Sequence, residues 1–236
     1  MRYMGGKSRI AKPISEIINN NAGADKTFVS LFCGAVNVES KVKGFDRIIC
    51  NDNHEYLIAL LQAVQQGYIP PDNISEEQYK NIRNNKDKYP KELVGFVGFG
   101  CSFGGRWFEG YARGKNRNYC LEAKNFLLRK METLKQAEFI CGDYRNIAIP
   151  QGSIIYADPP YANTTKYSTG EFNSNEFWEY MRKLAKAGNT VYISEQTAPE
   201  DFICVWEKPL RRILDVNKEN NFIITERLYT YGQKGN

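Results

Sequence analysis

Along most of the chain, short apolar runs alternate with stretches of helical period. Runs at residues 27–32, 47–53, 153–157 and 189–195, and a further run with its turn at 138–145, have the length and the flanking turn residues of buried strands. Between them, Ile10, Ile14, Ile17 and Ile18 recur at helical spacing, and three asparagines at 19–21 end that helix. Leu57, Leu60, Leu61 and Val64 form a second apolar stripe, residues 172–186 a third, and a helical pattern follows the first strand through Val42. Near the end, residues 211–216 and 222–231 alternate well enough for an antiparallel pair turning around residues 218–221. Strands interleaved with helices in this way predict an open α/β sheet.

Residues 67–136 break the rhythm. They open on Pro70-Pro71, followed by a capping box at Ser75-Glu76-Glu77-Gln78 and a polar stretch through Lys91. From Gly95 to Arg117, glycines, aromatics and basic residues are interleaved, with Phe96, Phe99 and Phe103 expected in a core. A helix carrying Leu121, Phe126, Leu127, Met131 and Leu134 closes the segment. The chain therefore divides into a core made of residues 1–66 and 137–236 and a mainly helical insert at 67–136. Basic groups beside aromatic rings suit phosphate contact and base stacking, so Arg106, Arg113, Lys115 and Arg117 are candidate nucleic-acid contacts. An insert with an ordinary aromatic core is the alternative.

Composition narrows the setting more than the chemistry. The 236 residues are 42% hydrophobic and 25% charged, with a formal net charge of +5. That is a mild lean toward polyanionic partners. No run is apolar and long enough to span a membrane, and the first residues do not read as a signal peptide. The six cysteines contain no Cys-x-x-Cys pair, which predicts reduced thiols, no structural zinc and a cytosolic setting. One histidine, His54, leaves no room for His-rich metal sites or His-based triads, and no metal is expected.

The candidate chemistry lies where predicted strands end. Asp158-Pro159-Pro160-Tyr161 follows the run at 153–157. Two prolines stop a strand, so an acid, a stiff backbone and a ring are fixed together at a sheet edge. A carboxylate and the Pro159 carbonyl there can accept both hydrogens of an exocyclic amino group and localise its lone pair, while the ring stacks on the base. A plain strand-ending turn is the other reading. Tyr3-Met4-Gly5-Gly6-Lys7 places a cation beside a backbone that can approach a ligand. Phe32-Cys33-Gly34 follows the first strand as a cofactor-cradling turn. Asp52 ends the second, either as a ribose acceptor or, with Asn53, as a helix cap. Asp143-Tyr144 lies in the turn of the run at 138–145 and by itself reads as a turn acid beside a ring.

Taken together and in this order, these five motifs resemble the Dam-like, D12 class of adenine-specific DNA methyltransferases. The resemblance implies a Rossmann-like S-adenosylmethionine-dependent methyltransferase fold with a target-recognition insert and a closing β-hairpin. It implies that S-adenosylmethionine is held by Tyr3, Lys7, Phe32, Gly34, Asp52, Asp143, Tyr144 and Asp158. Asp158, Pro159, Pro160 and Tyr161 would act on a flipped adenine in double-stranded DNA. The family's second glycine in the first-strand turn is replaced here by Val36. By analogy the setting is the cytoplasm of a bacterium or a phage-infected host, with or without a cognate restriction endonuclease. A cytosine-amino enzyme, an RNA-directed enzyme and a non-catalytic DNA-binding relative remain open.

Overall fold

The computed structural model describes residues 1–23, 25–160, 172–213 and 221–232. Tyr161, the polar stretch at 162–170 and the hairpin turn expected near 218–220 lie outside the described residues. One seven-stranded sheet organises the chain. Its strands are β1 (Thr27–Ser30), β2 (Arg47–Asp52), β3 (Glu138–Cys141), β4 (Ile154–Ala157), β5 (Thr190–Glu195), β6 (Phe202–Ile213) and β7 (Asn221–Tyr231). They lie in the order β3-β2-β1-β4-β5-β7-β6. The first five are parallel, whereas β7 runs antiparallel to both β5 and β6.

Strand period explains how the sheet is covered. On β1, Phe28 faces one layer and Val29 the other. On β4, Ile154 and Tyr156 share the first layer while Ile155 and Ala157 share the second. The first layer is filled by helix α1 (Ala11–Asn19) through Ile14 and Ile18. The second is filled by α6 (Ser174–Lys186) through Phe177, Trp178, Met181 and Leu184. Both faces of the central strands are thus buried, as the near-continuous apolar runs require.

Helix α2 (Glu55–Gln65) leads from β2 into the insert, where α3 (Glu76–Asn84), α4 (Lys91–Gly95) and α5 (Tyr119–Met131) follow. The capping box on Ser75 and Gln78 forms as expected. A single apolar cluster joins Leu57, Leu60 and Leu61 of α2 to Phe96, Phe99, Leu127 and Met131 of the insert and to Ala35 and Val36 of the turn after β1. Helix α4 runs on into a π-helical turn at Phe96–Gly100. At its start, Gly95 lies so close to α2 that an added Cβ would be 2.1 Å from the Tyr56 carbonyl oxygen. Gln65 closes the insert at its base by donating to the Leu134 and Ala137 carbonyls, both at 2.8 Å.

Four expectations are revised. The pattern through Val42 is not an α-helix; only a 3-10 turn forms, at Glu39–Lys41. Left-handed backbone at Gly34 and Val36 interrupts the helix, and the buried valines serve an irregular segment instead. Strand β6 starts at Phe202, well before residue 211; Pro209 reads as a strand breaker but is tolerated because β6 is the sheet edge. Phe103 is 72% exposed rather than in the core, since Gly104 and Gly105 both take positive φ and turn the chain outward there. Finally, not all thiols are free. Cys101 and Cys120 form a disulfide, because the π turn and the start of α5 bring their Cα atoms to 5.0 Å despite a sequence separation of 19.

Candidate active site

The carboxyl ends of β1, β2, β3 and β4 carry the predicted side chains, on either side of the point where strand order reverses between β1 and β4. Crevices form at such a reversal. Asp158 leaves the end of β4, and Lys7 comes down to it from the segment before α1. The ammonium Nζ is 2.7 Å from Asp158 Oδ1 and 3.8 Å from Glu226 Oε2, and it donates to the Gly5 carbonyl at 3.2 Å. Lys7 is 5% exposed and the Asp158 side chain 18%, so the pair is sealed on the lysine side and reachable on the acid side. Burial pushes the Asp158 carboxyl up to about 6; Lys7 opposes the shift and Glu226 adds to it.

The glycines of the N-terminal motif are required by contact. Gly5 has φ +76. A Cβ on Gly6 would lie 2.8 Å from Asn37 Nδ2 and 3.0 Å from the Tyr3 carbonyl. Tyr3 lies over Gly34, where a Cβ would come within 3.1 Å of its ring, and it packs on Phe99 with centroids 5.0 Å apart. The Gly34 N–H donates to Asp52 Oδ2 at 3.0 Å, and Asp52 Oδ1 accepts from the His54 N–H at 3.0 Å. Asp52 is thus tied to the turn after β1, and burial raises its carboxyl. The cap of α2 is His54, whose Nδ1 accepts from Leu57 N–H, rather than Asp52 or Asn53.

Phe32 and Tyr144 meet with ring centroids 5.1 Å apart, and Tyr144 also packs on Phe177 and Tyr180. Asp143 is gripped by Arg145, which donates from Nε at 2.9 Å and also pairs with Glu176; that guanidinium holds the Asp143 carboxyl below its usual range. Arg106 pairs with Glu109 at 2.9 Å, Arg113 with Glu76 at 2.6 Å and Arg117 with Glu122 at 2.7 Å, all on the insert surface, and Lys115 is exposed there. None of these four touches the Lys7–Asp158 pair. The insert reaches the N-terminal motif through Phe99, packed on Tyr3, and through its backbone, where Gly105 accepts from Met4 N–H at 3.3 Å.

Other site residues escaped the motif search. Glu226 lies on β7, and Glu195 ends β5, where burial pushes it up to about 7. Strand period offered a signal for Glu226: it shares the parity of the fully buried Leu228, and a charge at a core position of a strand marks a built site. Asn51, 1% exposed, donates through Nδ2 to the Leu31 and Gly142 carbonyls at 2.9 and 3.0 Å. Its Oδ1 is buried with no hydrogen-bond partner among the described residues, leaving an acceptor at the carboxyl edge for a ligand donor or a water. Among the described residues, no group of three or more His, Cys, Asp or Glu side chains is arranged to hold a metal ion, and no helix is long and apolar enough to cross a membrane.

Five parallel strands, a reversed seventh and a change of strand order between β1 and β4 define a Rossmann-like α/β fold. Residues 3–95 match the family model of the D12 class N6 adenine-specific DNA methyltransferases. Over 211 residues the chain is 25% identical to the Type II methyltransferase M.FokI of Planomicrobium okeanokoites; the match covers 78% of this chain and 32% of that protein, so the chain spans about a third of the relative's length. Among solved structures it is similar to the rRNA methyltransferase aviRa of Streptomyces viridochromogenes, at 13% identity and TM-score 0.44, covering 95% of this chain and 84% of that one. It is also similar to an rRNA methylase of Streptococcus thermophilus, at 7% identity and TM-score 0.40, covering 94% and 95%.

Proposed function

We propose that the chain transfers a methyl group from S-adenosylmethionine to the exocyclic amino nitrogen of adenine in double-stranded DNA. The observation that carries this reading is the Lys7–Asp158 pair at the end of β4, directly before Pro159-Pro160. The residues present suit the cofactor. Gly34 forms a left-handed turn without side-chain bulk, Asp52 is fixed against that turn, Phe32 and Tyr144 offer an aromatic wall, and Asn51 keeps a buried acceptor that has no partner among the described residues. When bound, S-adenosylmethionine supplies a methyl group on a sulfonium.

The chain's own contribution is positioning and charge. Lys7 occupies Oδ1 of Asp158, so Oδ2 is left to accept from the amino group of the base. The Pro159 carbonyl accepts the second hydrogen. Lys7 also favours the ionised acid, which a buried carboxyl would otherwise lose. Tyr161 stacks on the base. The methylated nitrogen is strongly acidic and loses its proton readily. The segment at 67–136 is the target-recognition unit, with Arg106, Arg113, Lys115 and Arg117 toward phosphates. A cognate endonuclease is compatible with this reading, as is a solitary enzyme.

The test is methyl transfer from labelled S-adenosylmethionine to mixed-sequence duplex DNA, followed by nucleoside analysis. Label is expected in N6-methyladenine, and Asp158→Ala should abolish it in a protein of unchanged circular dichroism. Label in cytosine would overturn the choice of base, and transfer to RNA in preference to duplex DNA the choice of substrate. Near-normal turnover by Asp158→Ala would remove that residue from the mechanism.

A further inference from the structure

The turn after β1 contains a conformation that its own sequence does not favour. Val36 is fully buried and has φ +49, in the left-handed region that β-branched residues avoid. Such a backbone persists where its surroundings over-determine it. Within the turn, the Val36 N–H donates to the Cys33 carbonyl at 2.8 Å. The groups on either side of Val36 are held from outside. Lys130, on α5 of the insert, donates from Nζ to the Ala35 carbonyl at 2.7 Å and to Asn37 Oδ1 at 2.6 Å. One ammonium therefore spans the strained residue, fixing the peptide before it and the side chain after it. Asn37 in turn is the group against which Gly6 packs. Lys130 lies three residues after Leu127 and next to Met131, both buried, so it projects from the helix stripe that faces this turn.

We propose that Lys130 is a positioning residue that holds the Val36 turn in its left-handed form, so that the shape of the cofactor cradle depends on a side chain from the insert. Where a glycine would take this φ unaided, valine needs the clamp. Burial lowers the Lys130 ammonium to about 8, with Glu39 opposing the shift and Lys41 adding to it. That is consistent with a desolvated cation retained for its hydrogen bonds. The link to the cofactor rests on the proposed function; the link to the turn does not.

The experiment compares the wild type, Lys130→Met, Val36→Gly and the double variant by two readouts. The first is amide hydrogen exchange at residues 35–38 without ligand. The second is calorimetric affinity for S-adenosylhomocysteine. Lys130→Met should speed exchange of the Val36 amide and weaken binding, each at least 10-fold. In the double variant most of both losses should be recovered, because glycine does not need the clamp. A merely structural lysine would give no such recovery. Unchanged exchange in Lys130→Met, or a double variant no better than Lys130→Met, would overturn the proposal. Should Lys130→Met fail to fold, Lys130→Gln, neutral but still a donor, is compared in the same way. A wild type that does not bind S-adenosylhomocysteine would overturn the cofactor reading instead and leave the exchange data to decide the role of Lys130.

Discussion

Asp158 is a strong acceptor for an amino group when it is ionised and a much weaker one when protonated, and its surroundings make ionisation costly. Burial raises it from the ordinary 3.8 to about 6, and a folded-state value above the unfolded one means that protonation favours the fold. The stability this group contributes is complete below pH 3.8 and is lost as pH rises through 6, whereas the activity needs the opposite form. The kcat/KM of methyl transfer should therefore fall as pH drops through about 6. Lys7 is the group that keeps this limb so low. In Lys7→Met the acid limb should move to higher pH, with weaker activity at pH 7 that recovers in part at pH 8. A limb that stays in place would mean that the lysine does not act through Asp158.

At the scale of elements, the N-terminal motif and the turn after β1 form one assembly. Gly6 packs on Asn37, and Asn37 cannot yield because Lys130 holds its other end. Gly6→Ala should therefore be costly although it adds a single methyl group. Overpacking of this kind costs about 1–3 kcal/mol, and urea denaturation should show a loss in that range. A change below about 0.5 kcal/mol, typical of unconstrained surface substitutions, would show that the contact relaxes freely.

The same elements show how far the sequence could be read. Five parallel strands and the helices α1, α2 and α6 were legible because each has one dominant period and clear turn residues. The places of Gly34, Asp52 and Asp158 at strand ends were legible from the turn residues beside them. The turn at 34–42 was not, because its buried valines imitate a helix and nothing in the sequence reports φ. Phe103 was misplaced because an aromatic flanked by glycines fits a core or a protruding turn equally well. Glu226 and Lys130 were missed because each is a single charge on an otherwise apolar face, and its partners lie far away in sequence.

For the whole molecule, net charge gives a poor picture of how a polyanion would be met. The formal charge is +5, but Arg106, Arg113 and Arg117 are each paired to a glutamate on the insert surface. Exposed pairs of this kind contribute little to stability, so a phosphate can displace the carboxylate at small cost. Replacing Glu76, Glu109 and Glu122 together by glutamine should tighten binding to duplex DNA and leave the melting temperature within a few degrees. If all three arginines then reach phosphates, the salt dependence should steepen by up to about 0.9 per added contact. An unchanged affinity and salt slope would place the DNA on another face.

The clasp made by Gln65 has a further consequence, for descent rather than for chemistry. It joins the chain just before the insert to the chain just after it, whatever the intervening stretch contains. The entropy of closing a loop grows only slowly with its length. Recombination between lineages could exchange the stretch between those junctions for one of different length without disturbing the sheet. If the insert reads the target as proposed, a new specificity would then arrive in a single event, on condition that the incoming stretch brings a cation to the place of Lys130 or the recipient carries glycine at 36. Hybrids that meet neither condition would be expected to fold and to fail at the cofactor.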